Sequence, residues 1–182
     1  NDLVYVSMDE DCKVTLGADD VLEGTYFCYD DYVVEVDKTA PFGNGPWEMP
    51  MFGPADIGKT YFYHVLHDCG GPNTCWGEVK IEDKLAPKLD CPIDITIACS
   101  EPVDVSYTGN VVVTDCSAYT TVIDDVFADF GECGSPRGQF LRTWIVTDIW
   151  GNQSSCSRLI TITKFELASV VMPVDITVNC ED

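Results

Sequence analysis

In the second half of the chain the sequence reads TDIWGN, a turn in which Thr147, Asp148, Gly151 and Asn152 hold the polar and flexible positions. Asp and Asn at this spacing can do either of two jobs. They can hydrogen-bond their own backbone and shape a hairpin, or their oxygens can ligate a hard cation. Ca²⁺ takes several oxygen ligands, and a single carboxylate holds it weakly. A site here would therefore gather Asp148 and Asn152 with a carboxylate of the preceding linker, Asp90 or Asp94. The acid pairs Asp30–Asp31 and Asp124–Asp125 are further candidates, although paired acids in loops are ordinarily just solvated. No cofactor is required by these residues, and Ca²⁺ is the ion they suit.

Other chemistry is poorly provided for. His64 and His67 precede Cys69 and Cys75 in HVLHDCGGPNTC, which are zinc-type ligands. Along a strand, however, residues three apart face opposite sides. The sequence lacks HExxH, GxSxG and P-loop motifs, and neither histidine has a recognisable nucleophile and orienting acid. The chain is expected not to be an enzyme.

One segment is built for contact. APFGNGPWEMPMFGPADIG (40–58) places Phe42, Trp47, Met49, Met51 and Phe52 among prolines and glycines. A loop of this length either folds back over its own domain or offers an apolar patch to a neighbour.

Composition narrows the setting. Against 31 Asp+Glu stand ten Lys+Arg, a net charge of −21. Such a surface repels nucleic acid and anionic lipid, and no apolar run approaches the ~20 residues of a membrane helix, so neither nucleic-acid binding nor membrane insertion is expected. Ten cysteines (Cys12, Cys28, Cys69, Cys75, Cys91, Cys99, Cys116, Cys133, Cys156 and Cys180) do not fall into paired CxxC knuckles. They read as disulfide staples of small β units outside the cell. The first residues, NDLVYVSMDEDC, lack a basic segment followed by an apolar run, as expected of a mature or excerpted extracellular chain.

The elements that must position these residues have a period of two. LVYVSM, KVTL, YVVEV, TYFYHVL and EVKI read as strands in the first half. DITIAC, VDVSY, NVVVTD, TTVIDDVF, FLRTWIVTD and RLITITK do so in the second. ADDVLEG (18–24) has room for one helical turn. The chain also repeats itself. A shift that sets Cys75 over Cys156 carries Pro92, Asp94, Ile95, Thr96 and Cys99 onto Pro173, Asp175, Ile176, Thr177 and Cys180 without a gap. NDLVYVS (1–7) aligns with SEPVDVS (100–106). The expected fold is all-β, with two tandem antiparallel immunoglobulin-like sandwiches and the first strand of a third. The domains are expected at 1–84, with the 40–58 insertion and lacking its first strand, at 85–168, and at 169–182. DKLAPKLDCP (83–92) is the stiff, proline-bearing link.

The second half resembles a known family. CPIDITIAC, TDCS (114–117), GECG (131–134) and RTWIVTDIWGNQSSCSRLITI (142–162) are similar to the hyalin-repeat and immunoglobulin-like repeats of giant Bacteroidota cell-surface adhesins. The first half, through CYDDYVVEV, ADIG and CWGEVKIEDKLAP, looks like a companion domain. The resemblance implies export by the type IX route and work in attachment, gliding or prey capture. It implies partners among neighbouring domains, copies of the same protein, or a host or prey surface. Trp150 stands where many such repeats carry Cys, so their disulfide pattern does not transfer whole. Local pairs Cys12–Cys28 and Cys116–Cys133 are the expectation, with Cys156 joined to Cys91 or Cys99.

Two functional readings remain. One is a structural repeat module of an extracellular adhesin or filament. The other is a Ca²⁺-dependent glycan- or protein-binding adhesion domain. MPVDITVNCED (172–182) ends the chain on an echo of CPIDITIACSE. Either the chain is a window from a longer array, or Pro173, Val174, Ile176, Val178 and Cys180 form a strand donated to another copy.

Overall fold

A computed structural model describes residues 3–23, 31–67, 74–131 and 136–164. Cys28, Cys69, Cys133, Cys180 and the whole strand-donor segment lie outside the described residues. The described chain is all-β. By contacts it divides into two compact units, Asn1–Leu89 with Val113–Val122 and Ile145–Ser155, and Asp90–Val112 with Ile123–Trp144 and Cys156–Asp182.

The first part of the chain runs β1 (Leu3–Ser7), β2 (Val14–Thr15), α1 (Ala18–Val21), β3 (Tyr32–Asp37), β4 (Trp47–Glu48), β5 (Met51–Phe52), β6 (Thr60–His67) and β7 (Cys75–Glu82). Five strands form one sheet in the order β1-β7-β6-β3-β4, and β2 pairs with β5. Alternation along β6 is complete: Tyr61, Tyr63 and Val65 are buried, whereas Thr60, Phe62 and His64 face the other way. Val34, Val36, Val79 and Ile81 join them from β3 and β7. Leu16, Met8 and Phe52 close the core from the other side. Phe52 accordingly belongs to the core, not to a contact patch, while Met49 and Met51 of the same loop are exposed at 72% and 50%.

The remainder comprises β8 (Lys88–Asp90), β9 (Ile95–Ala98), α2 (Val105–Thr108), β10 (Val112–Thr114), β11 (Tyr119–Asp129), β12 (Gly138–Asp148) and β13 (Gln153–Thr163). Its sheet runs β11-β12-β13-β9, and β10 pairs with β8. Ile97, Ile160 and Ile162 form a small core, against which Ile95, Val103 and Phe140 pack. Trp144 is fully buried and donates its indole N–H to Asn110 Oδ1 at 2.8 Å, so the ring keeps its hydrogen bond out of water. Arg142 is also buried. It forks onto Asp125 at 2.8 and 2.7 Å and reaches Thr108 Oγ1 at 3.0 Å. Asp125 is thus a structural partner, not a merely solvated acid.

Three sequence expectations change. VDVSY is not a strand: Asp104 accepts the Ser106 N–H at 3.0 Å and caps the short helix α2. The cap side chain wins over the alternating pattern because it satisfies a main-chain donor directly. The alignment of residues 1–7 with 100–106 fails with it. Leu3–Ser7 pairs in parallel with β7 just as Ile95–Ala98 pairs in parallel with β13. Each is an edge strand laid beside the last long strand of its sheet, so the ladders are not purely antiparallel. Parallel neighbours need a long connection, and here the intervening strands supply it.

The third change is covalent. Cys12 bonds Cys116, 104 residues away, in place of the expected local pairs with Cys28 and Cys133. Spacing along the chain misleads here because β-rich folds bring distant segments together. Cys116 is half-buried against the first core. Cys156 bonds Cys91, one of its two expected partners. Cys75 and Cys99 carry no disulfide among the described residues.

Closing so long a loop restricts the unfolded chain strongly. Cys116→Ser is expected to lower stability by about 2–4 kcal/mol, measured by urea unfolding at constant oxidation state. Non-reducing peptide mapping should recover a Cys12–Cys116 peptide; a Cys12–Cys28 peptide would contradict this connectivity.

Candidate divalent-cation site and contact loop

The TD-x-x-GN turn sits where β12 hands over to β13. Asp148 Oδ1 accepts the main-chain N–H groups of Trp150 at 2.9 Å and Asn152 at 2.8 Å, while its Oδ2 accepts Asn152 Nδ2 at 2.7 Å. The hairpin role read from the sequence is therefore real. Asn152 Nδ2 also donates to the carbonyl oxygen of Asp83 at 3.0 Å.

A cluster grows from this turn. Oxygens of Asp83, Asp115 and Asp148 lie within 4.8 Å of one another, with Asp83 and Asp148 buried and Asp115 half-buried. All three belong to the first unit. Asp83 accepts the Leu85 N–H at 3.2 Å and the Ser117 hydroxyl, and Asp115 accepts the Ser117 N–H at 2.7 Å. Among the described residues no Lys or Arg makes an ion pair with any of them. Burial, first, and then the charges of Asp83 and Asp148 push the Asp115 carboxyl above its ordinary range, against the lowering effect of the Ser117 N–H.

Asp148 and Asn152 were expected here; Asp90 and Asp94 were not brought to the cluster. Asp90 ends β8 and is exposed, and Asp94 instead accepts the Leu159 N–H at 2.7 Å. The missed members, Asp83 and Asp115, stand in EDKLAP and TDCS. Neither segment differs locally from the solvated acids elsewhere in the chain.

The donor set fits Ca²⁺. Oxygens bound to one ion at about 2.3–2.6 Å lie at most about twice that distance apart, which the 4.8 Å spacing meets. Each carboxylate also keeps a lone pair on at least one oxygen: Asp148 Oδ1 is filled by two N–H groups, whereas its Oδ2 accepts only Asn152 Nδ2. Asp83, Asp115 and Asp148 would hold the ion, and bound Ca²⁺ would supply the positive charge that the cluster lacks.

Trp150 packs here too. Its Nε1 donates to Ser117 Oγ at 3.1 Å. A Cβ at Gly58, where φ is +82°, would meet the indole at 2.6 Å, so only glycine leaves the ring its place.

The inserted loop is organised by a different acid. Asp37 is fully buried and accepts four main-chain N–H groups: Thr39 at 2.9 Å on Oδ1, and Gly43 at 2.7 Å, Asn44 at 3.2 Å and Gly45 at 3.0 Å on Oδ2. The Thr39 N–H, with the other three, holds its carboxyl below the usual range although burial pushes the other way. Phe42 and Trp47 are thereby set against β6: Phe42 stacks with Phe62 at 5.9 Å, and Trp47 with His64 at 3.7 Å. His64 Nε2 lies 2.8 Å from Glu35 Oε2, and the His67 ring meets Tyr32 edge-on, so the two histidines serve different neighbours.

No protein-family model and no curated protein sequence matches this chain. Solved cadherin structures give fold-level likenesses. Human mucin-like protocadherin EC1-2 is 10% identical over 90% of this chain and 96% of that one, with a TM-score of 0.34. For Drosophila N-cadherin EC1-4 the values are 13%, 88%, 47% and 0.35. For mouse clustered PcdhgC3 EC1-3 they are 9%, 88%, 65% and 0.31. The chain thus spans less than two thirds of the latter two. At TM-scores of this size the likenesses carry no argument about family or ligand. The resemblance to hyalin-repeat adhesins is carried by its motifs alone.

Two outcomes are expected. An Asp115 raised in the folded state binds more protons than in the unfolded chain just above pH 3.8, so its contribution to stability falls as pH rises through that window. Asp115→Asn should therefore raise Tm in chelator at neutral pH, yet reduce the Tm gain on adding millimolar Ca²⁺, as read by calorimetry. Asp37 has the opposite sign. Its stabilisation is complete above the ordinary 3.8 and lost as pH falls through its lowered value. Asp37→Asn should flatten that acid limb and lower Tm at pH 7.

Proposed function

We propose that the chain is a structural repeat module of a large extracellular adhesin or filament, joined to neighbouring modules or copies by strand pairing. The observation that carries this reading is β11. All 11 of its residues are exposed, and it forms the edge of its sheet among the described residues. Val122, Ile123, Val126 and Phe127 are exposed at 59%, 42%, 59% and 46%. A long apolar edge strand is a template for another strand, and proteins that stay monomeric blunt such edges with charge, proline or cover. Here the flanking acids Asp124 and Asp125 give partial blunting, and Asp125 is taken up by Arg142.

Strand donation by residues 173–180 of a neighbouring copy suits such an edge, since alternate apolar residues would add to the sheet. The sequence repeat that sets Cys75 over Cys156 supports a module meant to be repeated, and the disulfides fit an extracellular, load-bearing one. Ca²⁺ at Asp83, Asp115 and Asp148 would add a further crosslink among three distant chain segments. Attachment, gliding or prey capture is the setting that the motif resemblance supplies. The work itself is mechanical, not catalytic.

Val126→Lys places a charge on the strand edge without touching the core. Sedimentation velocity and negative-stain microscopy over a concentration series should show ordered multimers for the natural sequence and monomers for the variant. Monomers at every concentration for both would sink the assembly reading.

A further inference from the structure

The outer face of the five-stranded sheet carries rings where a solvated face would carry polar side chains. His64 on β6 is paired in register with Trp76 on β7 and with Glu35 on β3. Trp47 of the inserted loop stacks on His64 at an interplanar angle of 15°. Phe62 is flanked by two near-parallel rings, Trp76 at 6.5 Å and 13° and Phe42 at 5.9 Å and 11°. Trp76 is 53% exposed. Trp47, Phe62, His64, Thr74 and Trp76 line a cleft of about 320 Å³, near the lower limit of ligand pockets. A sandwich gains nothing in its own core from these rings, because the core lies on the opposite face.

We propose that this cleft binds a neutral hexopyranoside glycan, one sugar face lying on the exposed ring of Trp76. The geometry selects the ligand class. A pyranose with mostly equatorial hydroxyls presents a flat face of C–H groups and a rim of hydroxyls, so it needs a flat aromatic floor and polar groups at the edge. The Trp76 ring, 53% exposed and next in a near-parallel series with Phe62 and Phe42, supplies that floor. A quaternary ammonium is instead held by rings surrounding it on several sides. The polar edge is also present. Glu35 can only accept, so His64 Nε2 donates to it and, in the neutral ring, Nδ1 is the acceptor for a sugar hydroxyl; Thr74 lines the same cleft. The net charge of −21 disfavours sialylated, sulfated or uronic glycans. This inference is independent of the strand-pairing reading and of the carboxylate cluster, which share no residue with the cleft.

The test uses the full chain. Cello-oligosaccharides, neutral β-galactosides, sialyllactose and tetramethylammonium are titrated while indole NMR resonances and tryptophan fluorescence are followed. A neutral oligosaccharide should bind and shift Trp76 and Trp47. Trp76→Ala should weaken binding about tenfold, the scale of losing one stacked ring, and Trp76→Phe should restore most of it. Trp150→Phe, outside the cleft, should leave affinity unchanged, as should a chelator. Tighter binding of sialyllactose or tetramethylammonium would overturn the assignment. So would the absence of any neutral ligand, or loss of binding in Trp150→Phe equal to that in Trp76→Ala. Circular dichroism of each variant separates lost binding from lost fold.

Discussion

The constraint on which the rest depends is that most carboxylates here have no cation to meet. With 31 acids and ten Lys+Arg, the main chain has to supply the positive ends. Asp9, Asp20, Asp37, Asp104 and Asp148 all accept backbone N–H groups in turns, and Asp56 does so beside its ion pair with Lys38. A carboxylate bonded to several N–H groups is well satisfied and fixes the loop that wraps it. The acid excess thus does the work of turn chemistry throughout the fold. Where three acids converge with too few donors, at Asp83, Asp115 and Asp148, the surplus negative charge remains.

Asp37 shows how far this reaches. Its side chain would project from the outer face of β3, a position normally solvated, yet it is fully buried because the inserted loop closes over it. That closure sets Phe42 and Trp47 beside the rings of β6 and β7. One carboxylate therefore converts a proline-glycine insertion into one wall of an aromatic cleft. The loop divides its apolar residues by task, with Phe52 in the core, Trp47 on the sheet face, and Met49 and Met51 in solvent.

The covalent links follow the same economy of distant contacts. Both sheets end in an edge strand parallel to their last long strand, so each closes through its own first residues. The disulfides join residues 104 and 65 positions apart. Such crosslinks remove somewhat more freedom from the unfolded chain than a local pair would, since the effect grows with the logarithm of loop length. Local spacing is for that reason a poor guide to pairing in a β fold, whose contacts are mostly between remote segments.

The sequence by itself determined the all-β class, the strands with clear alternation, and the hairpin at Asp148 and Asn152. These are properties of neighbours a few positions apart, and side-chain period and turn chemistry act at that range. Only the tertiary structure decided that Asp83 and Asp115 join Asp148, that Cys12 meets Cys116, and that Trp76 lies beside His64. It also decided that VDVSY coils into α2, since a cap at Asp104 outweighs its alternating pattern. The physical reason is common to all four. Each outcome depends on which segments the sheets bring together, or on one side chain's choice of hydrogen-bond partner, and periodicity encodes neither.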